Sequence, residues 1–139
     1  MTEADLIRWV RAEIGRPFVW GETNCVALAV RCLDAQGGTD ILPRHARHMS
    51  TERRALAWTR KHGVAGLLQI LRAEGLAPVA PAFAQTGDVL LGETADGQIA
   101  AHIVVHDRLL SALPEVGVRL FRHDQISPME RYAMGWRRD

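Results

Sequence analysis

Four short runs between residues 88 and 121 decide the fold: Asp88-Val89-Leu90-Leu91, then Ile99-Ala100-Ala101-His102-Ile103-Val104-Val105-His106, Arg108-Leu109-Leu110-Ser111-Ala112-Leu113, and Val116-Gly117-Val118-Arg119-Leu120-Phe121. Each is rich in β-prone side chains and bounded by turn signals. Asp96-Gly97 suits a tight hairpin turn between the first two. Links this short force antiparallel pairing, because a parallel crossover needs a dozen or more residues. The spacing therefore predicts an antiparallel sheet in the C-terminal half.

Upstream the hydrophobic period becomes helical. Leu6, Ile7, Val10 and Ile14 recur on one face after Thr2, with Asp5 in the capping-box position, which predicts a first helix from Thr2 to Glu13. Gly15 ends it, and residues 16–21 read as an extended connection, since Pro17 biases Arg16 before it away from helix. A second helix opens at Asn24, a good N-cap, and runs through Val26, Leu28, Ala29, Val30 and Leu33 to Gly37-Gly38. Residues 39–48 read as a loop. Ser50 or Thr51 starts a third helix to about Lys61, and Gly63 separates it from a fourth, Val64 to Glu74. Helices first and sheet second give an α+β fold, N-terminal helices packed on a C-terminal antiparallel β-sheet, in one domain spanning residues 1–139.

Composition narrows the function. A chain of 139 residues at 47% hydrophobic can bury a core without disulfide or metal. Its formal charge of +1 supplies no overall pull toward nucleic acid or an anionic membrane, so dedicated nucleic-acid binding is not expected. No apolar run reaches the roughly 18 residues of a membrane span, and the first residues lack the cationic and apolar blocks of a signal peptide. The expectation is cytoplasmic synthesis and no membrane attachment. The two cysteines, Cys25 and Cys32, lie seven residues apart on one helix, about 10 Å at the helical rise, too far for a bridge. Both are expected to be free thiols.

Cys25 follows the tight loop Pro17-Phe18-Val19-Trp20-Gly21-Glu22-Thr23-Asn24 and falls in the first turn of its helix. Unpaired N–H groups and the positive dipole end favour a thiolate there, which would lower the thiol pKa and make a nucleophile. The plain alternative is a small buried side chain filling space, and Cys32 takes that reading. A cysteine nucleophile needs a base, usually an imidazole held by a third group. His102 begins the apolar run Ile103-Val104-Val105, where a polar ring is costly unless satisfied or used. Its plain alternative is a strand-edge histidine. His106 lies about 13 Å further along the strand and cannot share the same sulfur.

Together these parts resemble a known family. A Phe18-Val19-Trp20-Gly21 loop with Cys25, then Gly87-Asp88-Val89-Leu90-Leu91, then His102-Ile103-Val104-Val105, is similar to the NlpC-type cell-wall cysteine peptidases of the papain-like clan. The likeness is nearest to a short phage-borne branch found among tail genes, with Pro-Phe-x-Trp-Gly before the cysteine and a tryptophan near the C-terminus, here Trp136. The resemblance spans about residues 5 to 136. It implies a papain-like fold, Cys25 as nucleophile, His102 as base and Ser111 as the third group, with Phe18, Trp20, Gly21 and Asn24 on the substrate-binding loop. The implied substrate is an amide bond of a peptidoglycan stem peptide, and the implied partners include phage tail-tip proteins. An enzyme without an export signal would meet peptidoglycan in a virion tail or after lysis. The chain departs from the family pattern in several places: Asn24 stands for an acid, Phe18 for a tyrosine, Ser111 for a His, Asn or Gln, and Val26-Ala27 for Ser-Gly. Asn24, Phe18 and Ser111 favour the alternative, a catalytically inactive tail or tail-hub component using the same fold.

Residues 44 to 62 carry six basic side chains against Glu52 alone, with His45, His48 and His62 interleaved. A solvated helix face accounts for them; an anion-binding patch is the rival. The histidine spacing lacks the companions of a zinc site, so no metal and no cofactor is expected.

Overall fold

Thr2 starts the chain's first helix by a reciprocal cap: its hydroxyl accepts from the Asp5 N–H at 3.1 Å, and its own N–H donates to the Asp5 carboxylate at 3.0 Å. The computed structural model describes residues 1–126 and 131–136. Helix α1 spans Glu3–Glu13 and α2 Cys25–Gly37. Ala27, Leu28, Ala29, Val30, Cys32 and Leu33 are all buried, so α2 is apolar on most of its surface and runs through the centre of the protein.

The expected loop at 39–48 is instead a short helix α3, Ile41–His45, running into a 3-10 turn, Ala46–Met49. The cause lies outside the segment. Asp34 in α2 accepts from the Ile41 and Leu42 N–H groups, both at 2.9 Å, and from the Thr39 hydroxyl at 2.6 Å. Its carboxylate caps a helix seven residues downstream, a partner that local reading does not supply. Helix α4 runs Glu52–Ala73 but breaks at Gly63, whose φ of 64° and ψ of −172° leave the two helical stretches the glycine signalled.

Six strands follow: β1 Leu76–Val79, β2 Val89–Glu93, β3 Ile99–Val105, β4 Arg108–Leu113, β5 Gly117–Arg122 and β6 Arg131–Trp136. All pairings are antiparallel, in the order β1-β6-β2-β3-β4-β5. The four predicted strands are present within a residue or two of their expected bounds. β1 and β6 were not predicted. β1 contains Pro78, tolerated because the strand lies at the sheet edge, and β6 fills the place between β1 and β2.

The sheet is covered on both faces. Val89, Leu91, Ala101, Ile103, Val105, Leu110 and Ala112 form one core with the helices, while Leu90, Val104, Leu109 and Ala133 make a second cluster on the other side. This explains why the central strands read as continuous apolar runs rather than alternating ones. Trp136 ties the far end of α2 to β6: its indole N–H donates to the Leu33 carbonyl at 2.9 Å. The ring lies over Gly37, where a Cβ would stand only 2.2 Å from the indole. Among the described residues, no helix is long and apolar enough to cross a membrane.

Candidate active site

The Pro17–Asn24 loop is held by its own polar atoms. The Val19 carbonyl accepts from the N–H groups of Glu22, Thr23 and Asn24, and the buried Thr23 hydroxyl accepts from Val19 N–H at 2.7 Å while donating to the Pro17 carbonyl at 2.6 Å. Asn24 occupies the N-cap of α2, but its side-chain oxygen turns back to the Gly21 N–H at 2.8 Å and caps nothing in the helix. The first-turn N–H groups of α2 therefore have no side-chain cap, and Cys25 is the first residue of that turn.

The half-buried Cys25 thiol reaches β3 where the sheet opens. Pairing between β3 and β4 runs only from Ile103 opposite Leu110 to Val105 opposite Arg108. Beyond it, β3 continues with β2 and β4 with β5, leaving a gap. The Cys25 sulfur sits 3.8 Å from the Ile99 carbonyl at this gap. Burial pushes the thiol pKa up, and the N–H groups of Ala101, Val26 and Cys25 itself pull against that without overcoming it. The expected lowering at the helix terminus is thus corrected: desolvation outweighs the N–H groups around the sulfur and holds the thiol above its ordinary value. Cys32 is buried in the core beside Gln36, and desolvation pushes it up to about 12.

A cavity of about 340 Å³ opens beside Cys25. It brings Phe18, Trp20, Asn24, Cys25, His102 and Ser111 onto one lining, so residues 18 to 111 in the sequence meet at one place. Gly21 stands behind it, with φ of 80° and its open side toward Ser50 Cα, where a Cβ would come within 3.4 Å. His102 is buried on β3 opposite Leu90. The pleat sets it in step with Val104 and out of step with Ala101 and Ile103, which belong to the core shared with α2. Ser111 donates its hydroxyl proton to the Ala101 carbonyl at 3.0 Å, which fixes the edge of the gap and leaves only oxygen lone pairs to meet an imidazole N–H.

The lining also takes in His45, His48 and Trp58, side chains outside the candidate thiol site. The imidazole of His48 stacks between those of His45 and the Trp58 indole, at 5.9 and 6.0 Å, and Trp58 in turn meets His62 at 4.8 Å. Burial, then the charge of Arg47 and the neighbouring histidines, lowers the His48 pKa and keeps it neutral. Arg44, Arg47, Arg53, Arg54, Arg60 and Lys61 are exposed, so the basic run is a solvated face; His62 is exposed with them, while His45, His48 and Trp58 turn toward the cavity. Among the described residues, no group of three His, Cys, Asp or Glu side chains is arranged to hold a metal ion.

No curated protein and no solved structure matches this sequence. One family model does, over residues 2–134, and that span takes in the loop, the cysteine helix and the whole described sheet but its last two residues. The chain belongs to the family described as a domain of unknown function, DUF6950.

Proposed function

We propose that this protein is a cysteine hydrolase of amide bonds on a papain-like, NlpC-type scaffold, acting on peptidoglycan stem peptides in association with a phage tail. The observation that carries the reading is the single cavity lined by Cys25, His102 and Ser111 together with the Phe18–Trp20 loop. Because the resting sulfur is a thiol, the chemistry is general-base catalysis rather than attack by a standing thiolate. His102 takes the Cys25 proton across the gap between β3 and β4 as the sulfur attacks the amide carbon. The carbonyl oxygen becomes an oxyanion met by the uncapped N–H groups at the start of α2. The imidazolium then returns the proton to the departing amine, leaving a thioester on Cys25. Water, deprotonated by the same imidazole, attacks the thioester and releases the acid and the thiol.

A second reading has specific support. The pleat that sets His102 in step with Val104, and the burial that raises the thiol, both suit a catalytically inactive tail or tail-hub component that keeps the fold for assembly. Digestion of purified peptidoglycan separates the two. The hydrolase reading expects new amine termini from the native protein and none from Cys25→Ala or His102→Ala. Amine release that survives in Cys25→Ala, or none from well-folded native protein, removes it.

A further inference from the structure

The surface of the cavity beside Cys25 is mostly apolar. Its depth is formed where α2, α3 and α4 converge, by Val30, Ile41, Leu42, Leu67 and Ile70, and Trp20 and Trp58 stand among its walls. Neither arginine nor lysine occurs among the described lining residues, and Glu52 is the only carboxylate there. A volume of about 340 Å³ is at the small end of the range for ligand sites. A stem peptide presents free carboxylates, and no arginine or lysine among the described lining residues meets them. An aliphatic chain needs no such partner and gains by leaving water.

The sulfur lies at one side of this mainly apolar space, and His45, His48, Glu52 and Thr59 bring further polar atoms to the lining from α3, the 3-10 turn and α4. The Cys25 sulfur and the N–H groups of Val26 and Ala101 are next to one another at the gap between β3 and β4, and the Thr94 and Gln98 side chains flank the cavity from the β2–β3 turn. A ligand with a carbonyl at one end and a hydrocarbon tail fits a sulfur and N–H groups at the gap with the aliphatic side chains of Val30, Ile41, Leu42, Leu67 and Ile70 in the same cavity. We infer that the cavity is a subsite for an aliphatic acyl chain, placing the carbonyl of a medium-length acyl amide at Cys25 with its tail between α2, α3 and α4. The inference rests on the thiol chemistry of the reading above and puts an aliphatic acyl amide in place of its stem-peptide substrate.

Calorimetric binding of butyramide, hexanamide, octanamide and decanamide to the Cys25→Ala protein tests it, and the same series on native protein guards against a misfolded variant. Each buried methylene should tighten binding about fourfold, so hexanamide should bind roughly sixteenfold better than butyramide, with a plateau once the space is full. Ala55→Trp, on a half-buried lining position of α4, should erase the advantage of the longer chains. Affinities independent of chain length overturn the inference. Tighter binding of a γ-D-glutamyl dipeptide than of octanamide also overturns it, and leaves the hydrolase reading standing. Chain-length-dependent binding without any Cys25-dependent amide cleavage upholds the acyl subsite and removes the hydrolase.

Discussion

Replacing Gly37 by alanine should destabilise the protein through one ring. An added Cβ would stand 2.2, 2.5 and 2.8 Å from Cζ2, Cε2 and Cη2 of Trp136, atoms of the benzo ring, so the indole must move. Such overpacking costs about 1–3 kcal/mol. Moving the ring also strains the 2.9 Å bond from its N–H to the Leu33 carbonyl, worth about 1 kcal/mol. The better helix propensity of alanine returns at most about 1 kcal/mol. The net expectation is a loss of about 2 kcal/mol, or roughly 6 °C in Tm for a chain of this size. Urea denaturation followed by tryptophan fluorescence measures it. Trp136→Phe removes the benzo ring, so Gly37→Ala added to that variant should cost almost nothing further. If the two costs simply add, the ring is not what Gly37 accommodates, and the account of the C-terminal tryptophan as a clamp on α2 is wrong.

Other outcomes follow from the buried groups. Cys32 is held up to about 12, above its unfolded value near 9, so its contribution to stability is whole below pH 9 and is lost between pH 9 and 12; denaturation midpoints should fall through this window by about 1 kcal/mol per pH unit more in the native protein than in Cys32→Ala. Ser111→Ala leaves the Ala101 carbonyl without its 3.0 Å donor and should cost about 1–2 kcal/mol by urea titration; no change would mean that water replaces the hydroxyl. Glu13 is buried and pairs with both Arg16 and Arg31, so Glu13→Ala should cost about 3 kcal/mol, whereas removal of the exposed Arg8–Asp5 pair by Asp5→Asn should reduce stability chiefly through the Thr2 cap.

The sequence made the main architecture legible because its signals were local. The Thr2–Asp5 cap, the glycine breaks and the β-prone runs between 88 and 121 each act over a few residues, and each is present in the fold. What was missed depends on distant partners. α3 is capped by Asp34 from another helix, β1 carries a proline that only an edge position excuses, and β6 is a strand because β1 and β2 lie on either side of it. At the site, the position of Cys25 at the helix start was readable, and so was its shared cavity with His102 and Ser111. The direction of the thiol shift was not, since the helix terminus is a local feature and burial depends on the whole fold. The inward histidines and Trp58 were hidden behind exposed arginines on the same stretch of chain.

The most direct measurement is the mass of the protein after brief exposure to an activated acyl ester, p-nitrophenyl hexanoate, followed by peptide mapping. The account predicts one hexanoyl adduct on Cys25, absent from Cys25→Ala, formed with release of p-nitrophenolate and cleared by water on standing. Adducts spread over surface nucleophiles with Cys25 unmodified would contradict it.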